Sequence, residues 1–165
     1  MLHLEKVDAG NLWDIIDLKV KKTQKEFVAS NDISILQAYV CPGTGCTAFP
    51  FGIYNGRRAV GFLMIGFNEA ALYAFDQEDR PPEALKNNYS LWRLMIDKRY
   101  QGRGYGREAV QLAIDFVRTW PCGKADLCEV SYEPGNDVAA ALYRSFGFEE
   151  NGEMDGDEIV AVLKL

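Results

Sequence analysis

The chain has 165 residues, of which 48% are hydrophobic and 25% charged. This composition excludes a disordered chain, a collagen-like repeat and a disulfide-built miniprotein, and the length is that of one domain spanning 1–165. Eighteen Lys and Arg against 24 Asp and Glu leave a net charge of -6, which disfavours general nucleic-acid adhesion and favours cationic partners.

No apolar run reaches the length of about 18 residues that a membrane span needs, and Met1 to Lys6 lacks a signal-peptide core, so the chain reads as cytoplasmic. Cys41 and Cys46, and Cys122 and Cys128, match no two-residue metal knuckle, and His3 is the single histidine. Idle or buried thiols and no metal are the expectation. A Ser-His or Cys-His nucleophile is equally disfavoured.

Leu2 and Leu4 alternate as in a strand, and Leu12, Ile15, Ile16 and Leu18 then recur at helical spacing behind Asn11, a candidate N-cap. Residues 24–30 read as a loop. Ile33, Leu36, Gln37 and Val40 predict a second helix that Pro42 stops. Two strands, 48–54 and 59–67, flank Asn55-Gly56, the turn of a hairpin. The charged, proline-broken stretch 76–82 reads as a connection. Residues 89–96 form a strand, Val110, Ala113, Ile114 and Val117 a helix stripe, and 125–132 another strand. A short helix over 137–146 ends at Gly147, and a hairpin with arms 148–153 and 158–165 turns at Asp155-Gly156.

Gln101-Gly102-Arg103-Gly104-Tyr105-Gly106 lies between a predicted strand and helix, where free N–H groups and the helix dipole converge. Glycines at alternate positions let a diphosphate approach the main chain without meeting a Cβ, and Lys98, Arg99, Arg103 and Arg107 surround it with positive charge. The spacing fits neither a dinucleotide fingerprint nor a Walker loop, since Arg107 stands where the third glycine belongs and no Gly-Lys-Ser or Gly-Lys-Thr follows. A second cluster follows at Tyr132-Glu133-Pro134-Gly135-Asn136. On the helix after it, Val138, Ala141, Leu142 and Ser145 share a face expected to pack inward, while Asn136 and Tyr143 look outward together. Asn136 is also a simple N-cap candidate.

The two clusters together resemble the GNAT superfamily of acetyl-CoA-dependent N-acetyltransferases, whose signature Q/R-x-x-G-x-G/A is matched by Gln101 to Gly106. The likeness spans nearly the whole element order and is densest from Leu91 to Phe148. Within that family the chain looks like bacterial diamine, spermidine and spermine acetyltransferases, with weaker support from Phe27-Val28-Ala29-Ser30-Asn31. The resemblance implies an α/β (α+β) fold, a mixed, mostly antiparallel central sheet flanked by helices and opened near its middle strands. It further implies that Leu94, Met95 and Ile96 pair with the pantetheine arm of acetyl-CoA and that Gln101, Gly102, Arg103, Gly104, Tyr105, Gly106 and Arg107 receive the pyrophosphate. Asn136, Asp137, Val138 and Ala139 would border the arm, with Tyr143 as general acid to the departing sulfur. A homodimer is implied as well, for which Phe62, Phe67 and Tyr73 are candidate contacts, with core packing an equal explanation.

An amine with a pKa of about 10.4 is ammonium at pH 7, and forming the nucleophile costs about 4.6 kcal/mol before attack. Where some relatives carry a glutamate on the strand before the glycine loop, this chain has Trp92, which is taken as a candidate contact to the substrate. Glu26, Glu69, Glu129, Glu133, Asp76, Glu78 and Asp79 are candidate attractors of a cationic amine, each weighed against an ordinary solvated carboxylate. The expected reaction is direct attack of a polyamine nitrogen on acetyl-CoA in a ternary complex. Acetylation of a protein N-terminus, lysine or amino sugar, and a CoA-binding module with weak catalysis, are the alternatives.

Overall fold

The computed structural model describes residues 1–75 and 80–165. The strands are β1 (Leu2–Lys6), β2 (Thr47–Asn55), β3 (Arg58–Phe67), β4 (Tyr89–Ile96), β5 (Leu127–Tyr132), β6 (Glu149–Asp155) and β7 (Glu158–Lys164). They form one sheet in the order β1-β2-β3-β4-β5-β7-β6, in which every neighbouring pair is antiparallel except β4 and β5. The helices are α1 (Leu12–Ile16), α2 (Asn31–Val40), α3 (Tyr105–Val117) and α4 (Asp137–Arg144). A 3-10 helix over Glu69–Phe75, which the sequence pattern did not reveal, follows β3.

Strand alternation divides the core between the two faces. On one, Val110, Ala113, Ile114 and Val117 of α3 bury against Leu63, Ile65, Leu91 and Val130, and α4 joins them through Tyr143. On the other, Ile15 and Leu18 pack with Phe62, Met64 and Met95, with Trp92 at the border. Phe62 is therefore core, Phe67 packs against Tyr89, and the half-buried Tyr73 hydrogen-bonds Asp155. Apolar side chains left in solvent include Trp13 of α1 and, grouped together, Ile33, Leu36, Tyr39 and Val40 of α2. The spacing that predicted α2 thus marks its outer face, while Asn31 and Ser34 are buried beneath it. Asn11 stands at the N-cap of α1 as expected, but its side chain makes no capping bond; its Oδ1 accepts from Asp8 N–H at 2.9 Å.

Both tight turns sit one residue later than the dipeptides imply. Asn55 pairs with Arg58 and Asp155 with Glu158, leaving Gly56-Arg57 and Gly156-Asp157 as the loops. The glycine opens each loop with a φ of 59° or 57°, the conformation a two-residue hairpin needs. The thiols of Cys41, Cys46 and Cys128 are buried and all four cysteines are free, with Cys41 and Cys46 Sγ 3.0 Å apart.

The feature that positions the site is a split between β4 and β5. They register only at Tyr89 with Cys128 and Ser90 with Glu129, after which their edges part. The cause is in β4: Met64 of β3 pairs with Arg93 and Ile65 with Leu91, so Trp92 is an extra residue and the strand bends.

Candidate active site

The bend opens a groove of about 950 Å³ between Leu91–Ile96 of β4 and Ser131–Tyr132 of β5. Its floor is the unpaired edge of both strands, and one end is closed by the glycine loop. Gly102 and Gly104 have φ values of 76° and 80°, and a Cβ at either would meet nothing within 4 Å, so backbone conformation alone demands glycine here. Gly104 is the N-cap of α3, and the first helical bond, Glu108 N–H to Gly104 C=O at 3.2 Å, leaves the preceding amides of Tyr105, Gly106 and Arg107 for a ligand. Gly104→Ala is expected to cost about 1–2 kcal/mol of stability through the left-handed backbone and to weaken coenzyme A binding. Thermal unfolding and calorimetric titration with coenzyme A measure the two effects.

Around the loop, side chains divide into those that face the groove and those that brace it. Gln101 Nε2 donates to Ile96 C=O and to Gln24 Oε1, each at 2.9 Å, tying the loop to β4 and to the segment between α1 and α2. Tyr105 accepts from Asn55 Nδ2 at 2.8 Å. Arg103 lies over Tyr100 and lines a neighbouring concavity with Arg57 and Arg58. Arg107 donates to Ser145 Oγ at 2.7 Å and covers Phe146, so its side chain joins α3 to α4. Leu94, Met95 and Ile96 line the groove, although the Met95 side chain belongs to the core beneath α1.

The opposite wall is α4. Asn136 caps it, its Oδ1 accepting from Ala139 N–H at 3.3 Å, and Asn136, Asp137, Val138, Ala139 and Tyr143 all border the groove. The expected orientation of the helix is overturned. Val138 is 79% exposed and Ala141 and Ser145 lie in solvent, whereas Tyr143 is 8% exposed and stacks between Tyr132 and Phe148 at ring-centre distances of 6.0 and 5.8 Å. Six consecutive residues from Val138 to Tyr143 are apolar or aromatic, so spacing could not select a face, and the large tyrosine ring claims the buried side. Its hydroxyl donates to no other described residue. Burial first, then the charges of Glu129 and Glu158, push the phenol pKa up, so the group is protonated throughout the physiological range.

The candidate carboxylates fall into three groups. Glu26 is exposed on the groove rim. Asp76, Glu78 and Asp79 lie outside the described residues. Glu69 and Glu129, which a solvated reading would leave on the surface, are 7% and 3% exposed. Glu69 accepts from Ser90, in space kept by Gly66, where a Cβ would meet Glu69 Oε2 at 2.8 Å. Burial pushes the Glu69 pKa up to about 8 and raises that of Glu129 well above the carboxylate range. Of the glutamates expected at the acceptor, only Glu26 lines the groove; Glu69, Glu129 and Glu133 do not.

Among the groove residues that the sequence reading did not single out are Arg93, Ser131 and Glu158, with Lys21, Thr23 and Tyr100. Glu158 begins β7, accepts from Ser131 and has its pKa raised by burial. No local signal marks it, because its place at the groove arises from pairing between strands far apart in the chain.

A free strand edge leading to a glycine-lined helix N-terminus fits coenzyme A, with amide donors for its arm and for its diphosphate. Known proteins point the same way. The acetyltransferase (GNAT) family profile matches residues 14–148. The chain is 30% identical over 169 aligned residues to the spermine/spermidine N(1)-acetyltransferase of Bacillus subtilis strain 168, covering 99% of each protein. It is 41% identical over 105 residues to the N-alpha-acetyltransferase RimI of Mycobacterium tuberculosis, covering 64% of this chain and 57% of that protein. The fold matches aminoglycoside acetyltransferase AAC(6')-Ib, solved with coenzyme A, at a TM-score of 0.72 and 15% identity over 99% of this chain and 95% of that one. It matches the PaiA N-acetyltransferase of Thermoplasma acidophilum, also with coenzyme A, at 0.65 and 13% over 100% and 99%. With an open β4–β5 edge, a glycine-capped α3 and a family profile covering most of its length, the chain belongs to the acetyltransferase (GNAT) family, acetyl-CoA-dependent N-acetyltransferases.

Proposed function

We propose that the protein acetylates a primary amine of a small polycation of the spermidine, spermine or diamine class, by direct attack in a ternary complex. The observation that carries this reading is the groove itself, which runs from the amide-lined loop past Tyr143 to a wall bearing Glu158, with Glu26 at its rim. The near full-length likeness to a spermine/spermidine acetyltransferase supports the same acceptor.

Acetyl-CoA supplies the activated acetyl thioester. Amides of the glycine loop hold its diphosphate, and the β4 edge orients its arm. Tyr143 offers a neutral donor to the sulfur as charge develops there. Full transfer to a thiolate with a reference pKa of about 8.5 is uphill from so weakly acidic a phenol, so its main contribution is a hydrogen bond in the transition state. Glu158, beside Tyr143 in the groove wall, accepts the ammonium proton directly or through water. The raised pKa of a half-buried carboxylate suits that task.

The partial likeness to RimI favours a second reading, acetylation of a protein N-terminus. Coenzyme A release measured over a panel of polyamines, aminoglycosides and peptide N-termini separates the two. Turnover concentrated on polyamines is expected; turnover confined to peptides overturns the first reading, and none with any amine despite coenzyme binding leaves a binding module. We place the protein in the cytoplasm as a homodimer, whose available apolar surface is the outer face of α2 rather than Phe62 or Phe67.

A further inference from the structure

Two of the four thiols are set against each other by the chain around them, and the groove uses neither. Cys41 ends α2, its N–H donating to Gln37 C=O, and Cys46 directly precedes β2. Thr44 staples the turn between them. Its hydroxyl donates to Cys41 C=O at 2.8 Å and accepts from Cys46 N–H at 3.2 Å, while its own N–H donates to the same carbonyl at 2.9 Å. Gly45, with a φ of 92°, supplies the left-handed residue that turns the chain back. Backbone bonds that owe nothing to sulfur therefore bring the side chains together, and the Cys46 thiol donates to Cys41 Sγ.

A buried cysteine ordinarily acts as a small apolar side chain, and Cys128 does so in the core beneath α3. Cys41 and Cys46 are 0% and 3% exposed yet belong to neither apolar cluster. Their cover is thin, since Pro42, Gly43 and Gly45 are exposed and a Cβ at Gly43 would meet nothing within 4 Å. Opening of this one turn is enough to admit a small reagent. The two sulfurs are also unlike. The hydrogen bond from Cys46 lowers the Cys41 pKa against the opposing effect of burial, and the same bond, then burial, raises that of Cys46. Cys41 is thus the better nucleophile and Cys46 the thiol that follows it.

We propose that Cys41 and Cys46 form a reversible dithiol–disulfide site whose oxidant is a low-molecular-weight disulfide. The Cys41 thiolate attacks one sulfur of that disulfide, its S–S bond breaks, and one small thiolate leaves. Cys46, giving up its proton, then attacks the Cys41 sulfur and expels the second small thiolate. The protein loses two electrons and two thiol protons, and the oxidant becomes two small thiols. In a reducing compartment the pair stands open and closes under oxidation. The closed ring fixes the end of α2, one helical turn from Gln37, whose Oε1 holds Arg93 Nη2 of the groove wall at 3.2 Å. The site is independent of which amine the protein acetylates.

Equilibration of the wild-type protein in glutathione redox buffers, followed by acid quenching, alkylation and peptide mapping, tests this. A Cys41–Cys46 bond is expected, with Cys122 and Cys128 alkylated and the bond reversed by dithiothreitol. Its equilibrium constant against glutathione is expected to be at least about tenfold larger in native buffer than in concentrated urea, because the fold holds the pair together. An equal or smaller native constant overturns the site, as does a native bond to Cys122 or Cys128, a bond between molecules, or four free thiols. Glutathione is further expected to attach faster to Cys46→Ser, through Cys41, than to Cys41→Ser, and the reverse order overturns the assigned roles. The wild-type comparison decides the site even if the variants fail to fold.

Discussion

Tyr143→Phe is expected to lower kcat by about 100-fold or more while leaving coenzyme A affinity unchanged, the loss that removal of a positioned proton donor produces. The substitution is clean. The ring stays wedged between Tyr132 and Phe148, and the hydroxyl donates to no other described residue, so neither a cavity nor an orphaned partner is created. Steady-state turnover with the best amine, set beside calorimetric titration of coenzyme A, separates donor from packing residue. Unchanged turnover would show that another group or water meets the sulfur, and a parallel loss of affinity would assign the phenol to binding instead.

The free protein should lose stability as pH rises from about 5 to above 8, and Glu69→Gln should remove much of that slope. Glu69 is buried with its pKa pushed up to about 8, against 4.5 for the unfolded group. Between those values the folded state holds a proton that the unfolded state has released, so raising the pH favours unfolding. Below 4.5 both states are protonated and the effect vanishes; above 8 the folded protein carries a buried charge and the loss is complete, at most about 5 kcal/mol at 1.36 kcal/mol per pH unit. Glutamine keeps an acceptor for the Ser90 hydroxyl without titrating. Urea unfolding at pH 5, 7 and 8.5 compares the two proteins, and parallel curves would mean that Glu69 is ionised in the folded state throughout. The direction is opposite to that of a surface salt-bridged carboxylate, which stabilises as pH rises, so the sign alone is diagnostic.

Features written in consecutive residues are legible in the chain itself. Gln101 to Gly106 sits between a strand and a helix because alternate glycines end one and open the other, and the φ of 80° at Gly104 is the conformation that pattern demands. Asn136 caps α4 through its own side chain, again a local interaction. Strand positions follow the alternation of β-branched and aromatic residues, and only the turn register moves, because pairing Asn55 with Arg58 places glycine where a positive φ is needed.

Facing is not legible in the same way. The stripe Ile33, Leu36 and Val40 points at solvent, and the apolar run Val138 to Tyr143 admits several faces, of which packing against Tyr132 and Phe148 chooses one. The same limit applies to charge. Glu69, Glu129 and Glu158 are separated by 60 and 29 positions, and each alone resembles a surface carboxylate. Sequence by itself determined the order of elements, the glycine loop and the cap, since those depend on backbone preferences of neighbouring residues. Only the tertiary structure decided that an extra residue at Trp92 bends β4 from β5, and that the acids converge behind the gap. Both follow from strand register, which couples distant residues through hydrogen bonds no short stretch of sequence contains.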